Sequence, residues 1–290
     1  MRAPTSGARV ARSDIERLHV LTTELASPLS EYRAANLYLF RTVHDYRWAE
    51  TDAPALTGRT YDGVRHLTPL VRGAVSGLAA ALAENEVLFP LAAVDTQGLE
   101  STSNPDDTDY VFDVQDLATC RGQARKGPRN LRSHFRRLHH PREAALEPSS
   151  QAAAFEVLDG WLADVGWRPD KTDYLACREA LELQAALGLE GLVAFTAEGR
   201  PAGFLLASVL HGMAVVHFAK GRRDLAGVYP HLFSRFAEGA GERFATINFE
   251  QDLGKPGFRQ NKRAYGPSVL LAKHRLTRAA AFSAISSRPR

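Results

Sequence analysis

Apolar residues recur at helical spacing over Asp14–Leu29, where Ile15, Leu18, Leu21, Thr22 and Leu25 share one face. Ser30 is placed to cap a second helix over Glu31–Thr42. Shorter runs follow: YRWAE reads as extended, Val64–Leu67 as a strand, SGLAAALAENE as an Ala-rich helix and VLFPLAAVD as a mixed apolar run. A polar, turn-rich loop, DTQGLESTSNPDDTD, separates these from YVFDVQ, which alternates as a strand. The next segment is helical and cationic; Pro128 suits its first turn and Pro141 ends it, with Leu131, Phe135 and Leu138 as an apolar stripe. After a Pro/Ser break, LEPSSQAAAFEVLDGWLADV begins a new helix, and a further helix spans about Asp173–Leu187. GLVAFTA, RPAGFLLASVL and MAVVHFAKG then form a three-strand meander, turning at Glu198-Gly199 and His211-Gly212. A helix in YPHLFSRFAEGAGE and a strand, FATINF, close the pattern.

Mixed helices and strands make this an α/β chain. The Pro/Ser break puts a domain boundary near Ser149, giving domains over 1–148 and 149–290, with the basic helix at about 117–141 in the first. In the second half the order is helix, helix, β-meander, helix, strand, which is the order of a GNAT-type acyltransferase unit. The first half has a looser version of the same order, so the expected fold is two tandem GNAT-like domains in a Fem-like arrangement. No repeat is visible letter by letter.

Composition narrows the class. The chain has 290 residues, 44% of them hydrophobic, enough for two cores. A net charge of +3 says little by itself; its distribution matters more. Cys120 and Cys177 have no metal or redox spacing and read as reduced thiols. MRAPTSGARVARSD has no apolar leader core, and the most apolar window, Gly73–Ala83, is short of the roughly 18 residues a membrane span needs. These readings place the chain in the cytoplasm with no integral membrane segment. The histidines include no HxxxH or HExxH arrangement, so no metal site is expected.

Charge is uneven. From Leu117 to Arg142 there are eight Arg/Lys, three His and no acid. Arg129, Arg132 and Arg136 share a helix face. Such a run repels itself unless an anion sits nearby, and phosphates are the natural partner. The other reading is a solvated face packed on the acidic loop Asp106, Asp107 and Asp109. Phe135 belongs to the apolar stripe, so phosphate contact fits better than base stacking.

A second concentration follows the last strand, in INFEQDLGKPGFRQNKRAYGP. Polar groups just past the carboxyl end of a strand are where α/β folds bind ligands. Arg259, Lys262 and Arg263 suit one helical turn. Asp252 could hold an amine while Arg259 and Lys262 stabilise a developing oxyanion; alternatively Asp252 caps a turn and the cations are solvated. After the meander, KGRRDLAGVYP lacks the paired glycines with which CoA-using GNAT enzymes cradle pyrophosphate, which argues against acetyl-CoA. His211, His217 and His231 read as core or surface histidines.

Three ordered motifs carry a resemblance. NFEQDLGKPGFRQNKRAYGP resembles the closing motif of the phosphatidylglycerol lysyltransferase C-terminal domain family. YVFDVQDLATCRGQARKGPRNLRSHF resembles its tyrosine strand and basic segment, and SEYRAANLYLFR its early element. The resemblance implies a tandem GNAT fold, similar to the Fem-type transferases, and use of aminoacyl-tRNA as co-substrate with no cofactor. The family's lipid-modifying members carry a large membrane part that is not in this sequence. A soluble small-molecule or peptide amine or hydroxyl is therefore the expected acceptor, in a biosynthetic setting like that of the soluble valanimycin-pathway seryl transferase. The expected roles are oxyanion or leaving-group stabilisation by Lys262 with Arg259 assisting, binding or deprotonation of an amine by Asp252, and proton passage or orientation of Lys262 by Tyr265. Arg121, Arg125, Lys126, Arg129, Arg132, Arg136 and Arg137 are the expected tRNA contacts, with no role for DNA. A CoA-dependent N-acyltransferase and a tRNA-binding module without catalysis are the alternatives.

Overall fold

The computed structural model describes residues 6–96 and 99–278; the leader reading rests in part on residues 1–5, which lie outside the described residues. The chain forms two compact units. The first takes residues 1–109, 251–255 and 270–290, and the second takes 110–250 and 256–269.

The first unit begins with β1 (Ser6–Arg9), α1 (Ile15–Leu25), α2 (Ala34–Leu39), β2 (Arg47–Ala49), β3 (Ala55–Arg59), β4 (Arg65–Pro69), α3 (Val75–Ala81), β5 (Glu86–Leu91) and β6 (Thr102–Ser103). The sequence continues with β7 (Asp109–Asp113), whose first residue still belongs to the first unit, and the second unit contains α4 (Val114–Thr119), α5 (Lys126–His139), β8 (Arg142–Ala145), α6 (Gln151–Val165), α7 (Tyr174–Glu182), β9 (Leu189–Phe195), β10 (Pro201–Leu210), β11 (Met213–Gly221), α8 (Val228–Glu238), β12 (Thr246–Asn248) and α9 (Pro256–Ala264), with β13 (Val269–Leu271) at the crossing back. The chain then returns to the first unit as β14 (His274–Thr277).

Two seven-stranded sheets result, ordered β1-β2-β3-β4-β5-β14-β6 and β13-β7-β12-β11-β10-β9-β8. Their inner connections match. In the first, an antiparallel β2-β3-β4 meander is followed by α3 and by β5 parallel to β4. In the second, β9-β10-β11 is followed by α8 and by β12 parallel to β11. Each parallel strand then pairs antiparallel with one more strand, β14 in the first sheet and β7 in the second. This is the expected pair of GNAT-like units.

The division differs from the expected break near Ser149. Residues 110–148 belong to the second unit, where β7 and β8 pair into its sheet and Phe135 of α5 is fully buried in its core. A Pro/Ser break marks a flexible link but cannot show which sheet a strand joins. The paired positions of β10 explain its composition: hydrogen-bonded on both edges, it runs as nearly continuous buried apolar residues from Ala202 to Ala207.

Local capping also departs from the pattern. Ser30 does not cap a helix; its backbone N–H and hydroxyl both donate to Asp109, at 2.8 and 2.9 Å, and α2 starts only at Ala34. The run YVFDVQ changes state midway. Asp113 accepts from the backbone N–H groups of Gln115 and Asp116 and so caps α4.

Candidate active site

Strand β11 does not pair evenly with β10. Leu206 faces Phe218 and Ala207 faces Val216, so His217 is the extra residue of a β-bulge. A bulge re-aims the side chain that it carries. His217 Nε2 lies 2.9 Å from Ser208 Oγ on β10, and its Nδ1 lies 2.9 Å from Glu250 Oε1, two residues beyond β12. The imidazole is wholly buried, whereas the Glu250 side chain keeps 19% exposure.

Glu250 has a left-handed backbone, φ +57°, which costs a non-glycine residue energy unless its surroundings impose it. They do so from several sides. Its N–H donates to Asn248 Oδ1 at 2.7 Å, and its carbonyl accepts from Tyr110 N at 3.3 Å and from Lys262 Nζ at 3.0 Å. The Lys262 ammonium also donates to the Phe249 carbonyl at 2.6 Å and stands 5.7 Å from the Tyr110 ring centre. Lys262 therefore clamps two successive carbonyls of the turn that presents Glu250. Arg259, one turn earlier on α9, is half-buried.

Tyr265 ends α9 inside the core. Its ring meets Phe112, Phe233 and Phe249 edge-on, and burial drives the pKa of its hydroxyl well above the ordinary value. The hydroxyl thus stays protonated in the working range of most enzymes, and the ring seats the helix that carries Lys262. Arg125 fixes the same corner: its guanidinium donates to the Tyr265 carbonyl at 2.8 Å and the Gly266 carbonyl at 3.0 Å and pairs with Asp116.

The middle of the closing motif belongs to the first unit. Asp252 is fully buried and accepts from Gly254 N at 2.9 Å, the geometry of a capped turn. Gly254 has φ +69°, and a Cβ there would come within 2.5 Å of Asp106 Oδ2, so a side chain would add backbone strain and push the Asp106 carboxylate aside. Gln251 accepts from Lys273 at 3.1 Å. Lys273 is itself fully buried, its ammonium 2.6 Å from both Glu31 and Asp109. Burial disfavours its charge, but Asp109 and then Glu31 more than offset this and raise the Lys273 pKa. Burial raises the Glu31 pKa, Lys273 opposes it, and the Asp109 charge adds to it, bringing Glu31 to about 7. The acidic loop is occupied in the same unit, since Asp107 pairs with Arg275 at 2.6 Å.

The cations expected on one surface separate into two sets. Arg129 donates to the carbonyls of Cys120 and Gly122 at 3.0 and 3.1 Å, and Arg132 to those of Ala118 and Thr119 at 2.8 and 3.2 Å. With Arg125 they hold the α4–α5 connection. Arg121, Lys126, Arg136 and Arg137 are exposed. After β11, the loop where a GNAT enzyme would cradle pyrophosphate faces a carboxylate instead: Asp164 of α6 accepts from Arg223 N at 3.2 Å and lies 3.4 Å from Arg222 Nε.

Residues 22–276 match the family of the phosphatidylglycerol lysyltransferase C-terminal domain. The chain belongs to this family. Among solved structures, a protein of unknown function from Bacteroides thetaiotaomicron VPI-5482 is similar at 20% identity and a TM-score of 0.79, over 95% of this chain and 99% of that one. L-PGS from Bacillus licheniformis is similar at 14% identity and a TM-score of 0.61, over 98% and 99%. FemX is similar at 8% identity and a TM-score of 0.60, over 94% and 98%. These likenesses show a shared fold. Among curated proteins none matches the chain.

In this lysyltransferase-family chain, Lys262 and Arg259 share α9 as expected, and Asp252 and Tyr265 are both buried, Asp252 in the first unit and Tyr265 in the second. Ser208 was not singled out, His217 was read as a core or surface histidine, and Glu250 was expected only at the rim of the site. The hairpin turn at His211-Gly212 brings Ser208 and residue 217 near one another, but the bulge that turns His217 toward Glu250 has no sequence mark. Lys273 stands in the mostly apolar run VLLAKHRL and carries no local sign of its two carboxylate partners.

Proposed function

We propose that this chain moves an aminoacyl group from aminoacyl-tRNA to a soluble acceptor amine or hydroxyl, and that Lys262 and Arg259 serve the carbonyl chemistry at the end of β12. The observation that carries this reading is the family match across residues 22–276, which includes the basic segment and the closing motif together. An acyl ester on tRNA is already activated. The acceptor attacks its carbonyl, a tetrahedral oxyanion forms, and the terminal ribose hydroxyl leaves. That sequence requires a proton acceptor, cationic or N–H stabilisation and a phosphate-binding surface.

Two features of the second unit support an aminoacyl-tRNA donor over acyl-CoA. Arg121, Lys126, Arg136 and Arg137 offer exposed charge to phosphates. Asp164 places a carboxylate on the loop that would otherwise cradle pyrophosphate. Among the described residues no helix is long and apolar enough to cross a membrane, which favours an acceptor met in solution.

The test is incubation of the protein with a total charged-tRNA pool and a metabolite extract, reading tRNA deacylation and new amides or esters by mass spectrometry. Parallel arms contain acetyl-CoA without tRNA, and phosphatidylglycerol vesicles. Transfer only with charged tRNA and a soluble acceptor is expected. Acetyl transfer overturns the donor assignment, and product formed only on vesicles overturns the acceptor assignment.

A further inference from the structure

We propose that Glu250 is the proton-transferring group of the reaction, with His217 and Ser208 as the residues that position it. This rests on the acyl-transfer reading above and deepens it. The Ser208–His217–Glu250 chain lies wholly within the second unit and runs from a buried hydroxyl through a buried ring to a partly exposed carboxylate.

The direction of the chain follows from hydrogen-bond chemistry. An ionised carboxylate only accepts, so the ring nitrogen facing Glu250 carries a proton. In the neutral ring the other nitrogen then accepts, and the Ser208 hydroxyl is its donor at 2.9 Å. Ser208 thereby selects one tautomer, and His217 holds one oxygen of the carboxylate in a fixed direction. The bulge exists at the one residue that makes this contact. At the far end, Glu250 keeps its left-handed backbone because Asn248, Tyr110 and Lys262 fix its N–H and carbonyl. A surface glutamate needs none of this. A carboxylate that must meet a reacting atom within a few tenths of an ångström does.

The step balances as follows. The acceptor N–H or O–H gives its proton to the Glu250 carboxylate while its nitrogen or oxygen bonds to the ester carbonyl carbon. The tetrahedral intermediate collapses, the bond from that carbon to the ribose oxygen breaks, and Glu250 returns the proton to that oxygen. Products are the acylated acceptor and tRNA with a free terminal hydroxyl, and the enzyme is unchanged.

The experiment uses the full chain, a total charged-tRNA pool as donor and dilute hydroxylamine as a small probe nucleophile, with the uncatalysed rate subtracted. Single-turnover hydroxamate formation is titrated against enzyme to separate rate from donor affinity. Glu250→Gln keeps the shape and removes the base, and its rate is expected to fall by roughly 10²–10⁴-fold with donor affinity little changed. His217→Ala is expected to lose rate, and His217→Gln, whose amide can still donate to the carboxylate, to recover a measurable part of it. A folded Glu250→Gln variant that transfers within threefold of wild type overturns the proposal. So does equal loss in His217→Ala and His217→Gln when both melt like wild type. If Glu250→Gln fails to fold, the paired His217 variants decide alone. Wild-type protein that forms no hydroxamate overturns the acyl-transfer reading and this proposal with it, whereas active wild type with an equally active Glu250→Gln overturns only the proposal.

Discussion

Two lysines decide most of what single residues can reveal here. Lys262 donates to two carbonyls of the turn that carries Glu250, so its loss should act on the reacting geometry as well as on charge. Lys262→Met keeps the apolar stem, and transfer is expected to fall by about 10²–10³-fold while tRNA affinity stays within a few-fold, as single-turnover rates beside a binding titration will show. Lys273 is different. It is fully buried with Glu31 and Asp109, and Lys273→Met leaves two carboxylates without their cation. Breaking a buried pair in this way costs about 3–5 kcal/mol, readable as a lowered denaturant midpoint. The same cluster gives stability a pH dependence of defined sign. Glu31 rises from an ordinary 4.5 to about 7 in the folded chain, so between those values the folded state binds more protons than the unfolded one. Stability from this group therefore falls as pH rises through that window and levels off above it. Glu31→Gln is expected to flatten the fall between pH 5 and pH 7.5 in denaturant titrations.

Among elements, α5 shows how far a cationic pattern can be read. Its helical state, its N-terminal Pro128 and its end before Pro141 were legible, because proline and helical periodicity act locally. Of the apolar stripe, Phe135 is fully buried, while Leu131 and Leu138 are about half exposed. The face shared by Arg129, Arg132 and Arg136 is also divided, for two of these donate to backbone carbonyls outside the helix and the third is exposed. Spacing places side chains on a face but does not say what already sits opposite. The salt dependence of tRNA binding should separate the sets. Arg136→Ala with Arg137→Ala is expected to flatten the slope of log affinity against log salt by roughly one to two units. Arg129→Ala with Arg132→Ala should mainly lower the melting temperature, since it takes the guanidinium donors from the carbonyls of Thr119, Cys120 and Gly122 and leaves Ala118 only the Ser234 hydroxyl.

At the scale of the molecule, the repeated order of meander, helix and parallel strand was visible in the pattern, and the two sheets have it. The assignment of strands to sheets was not. Alternation marks YVFDVQ as a strand, yet nothing in it says that β7 completes a sheet whose other strands begin at Arg142. The same holds for the active site, where the closing motif was legible as a polar concentration after a strand, while Glu250, His217 and Ser208 meet only through pairing across three strands. A chain cut to residues 149–290 is accordingly expected to lose cooperative unfolding by circular dichroism, since it lacks β7, β8 and the fully buried Phe112 and Phe135.

The late return of β14 sets an order on synthesis. Strand β5 pairs with β4 on one edge, and its other edge waits for His274–Thr277. On the ribosome, every strand of the second sheet has been made by Leu271, whereas the first sheet carries an open, apolar edge from the moment Leu91 emerges. An unpaired edge of that kind invites pairing with another nascent chain. The first unit to be translated is thus the last to close, and slow elongation through the long stretch between β6 and β14 would prolong its exposure rather than help it fold.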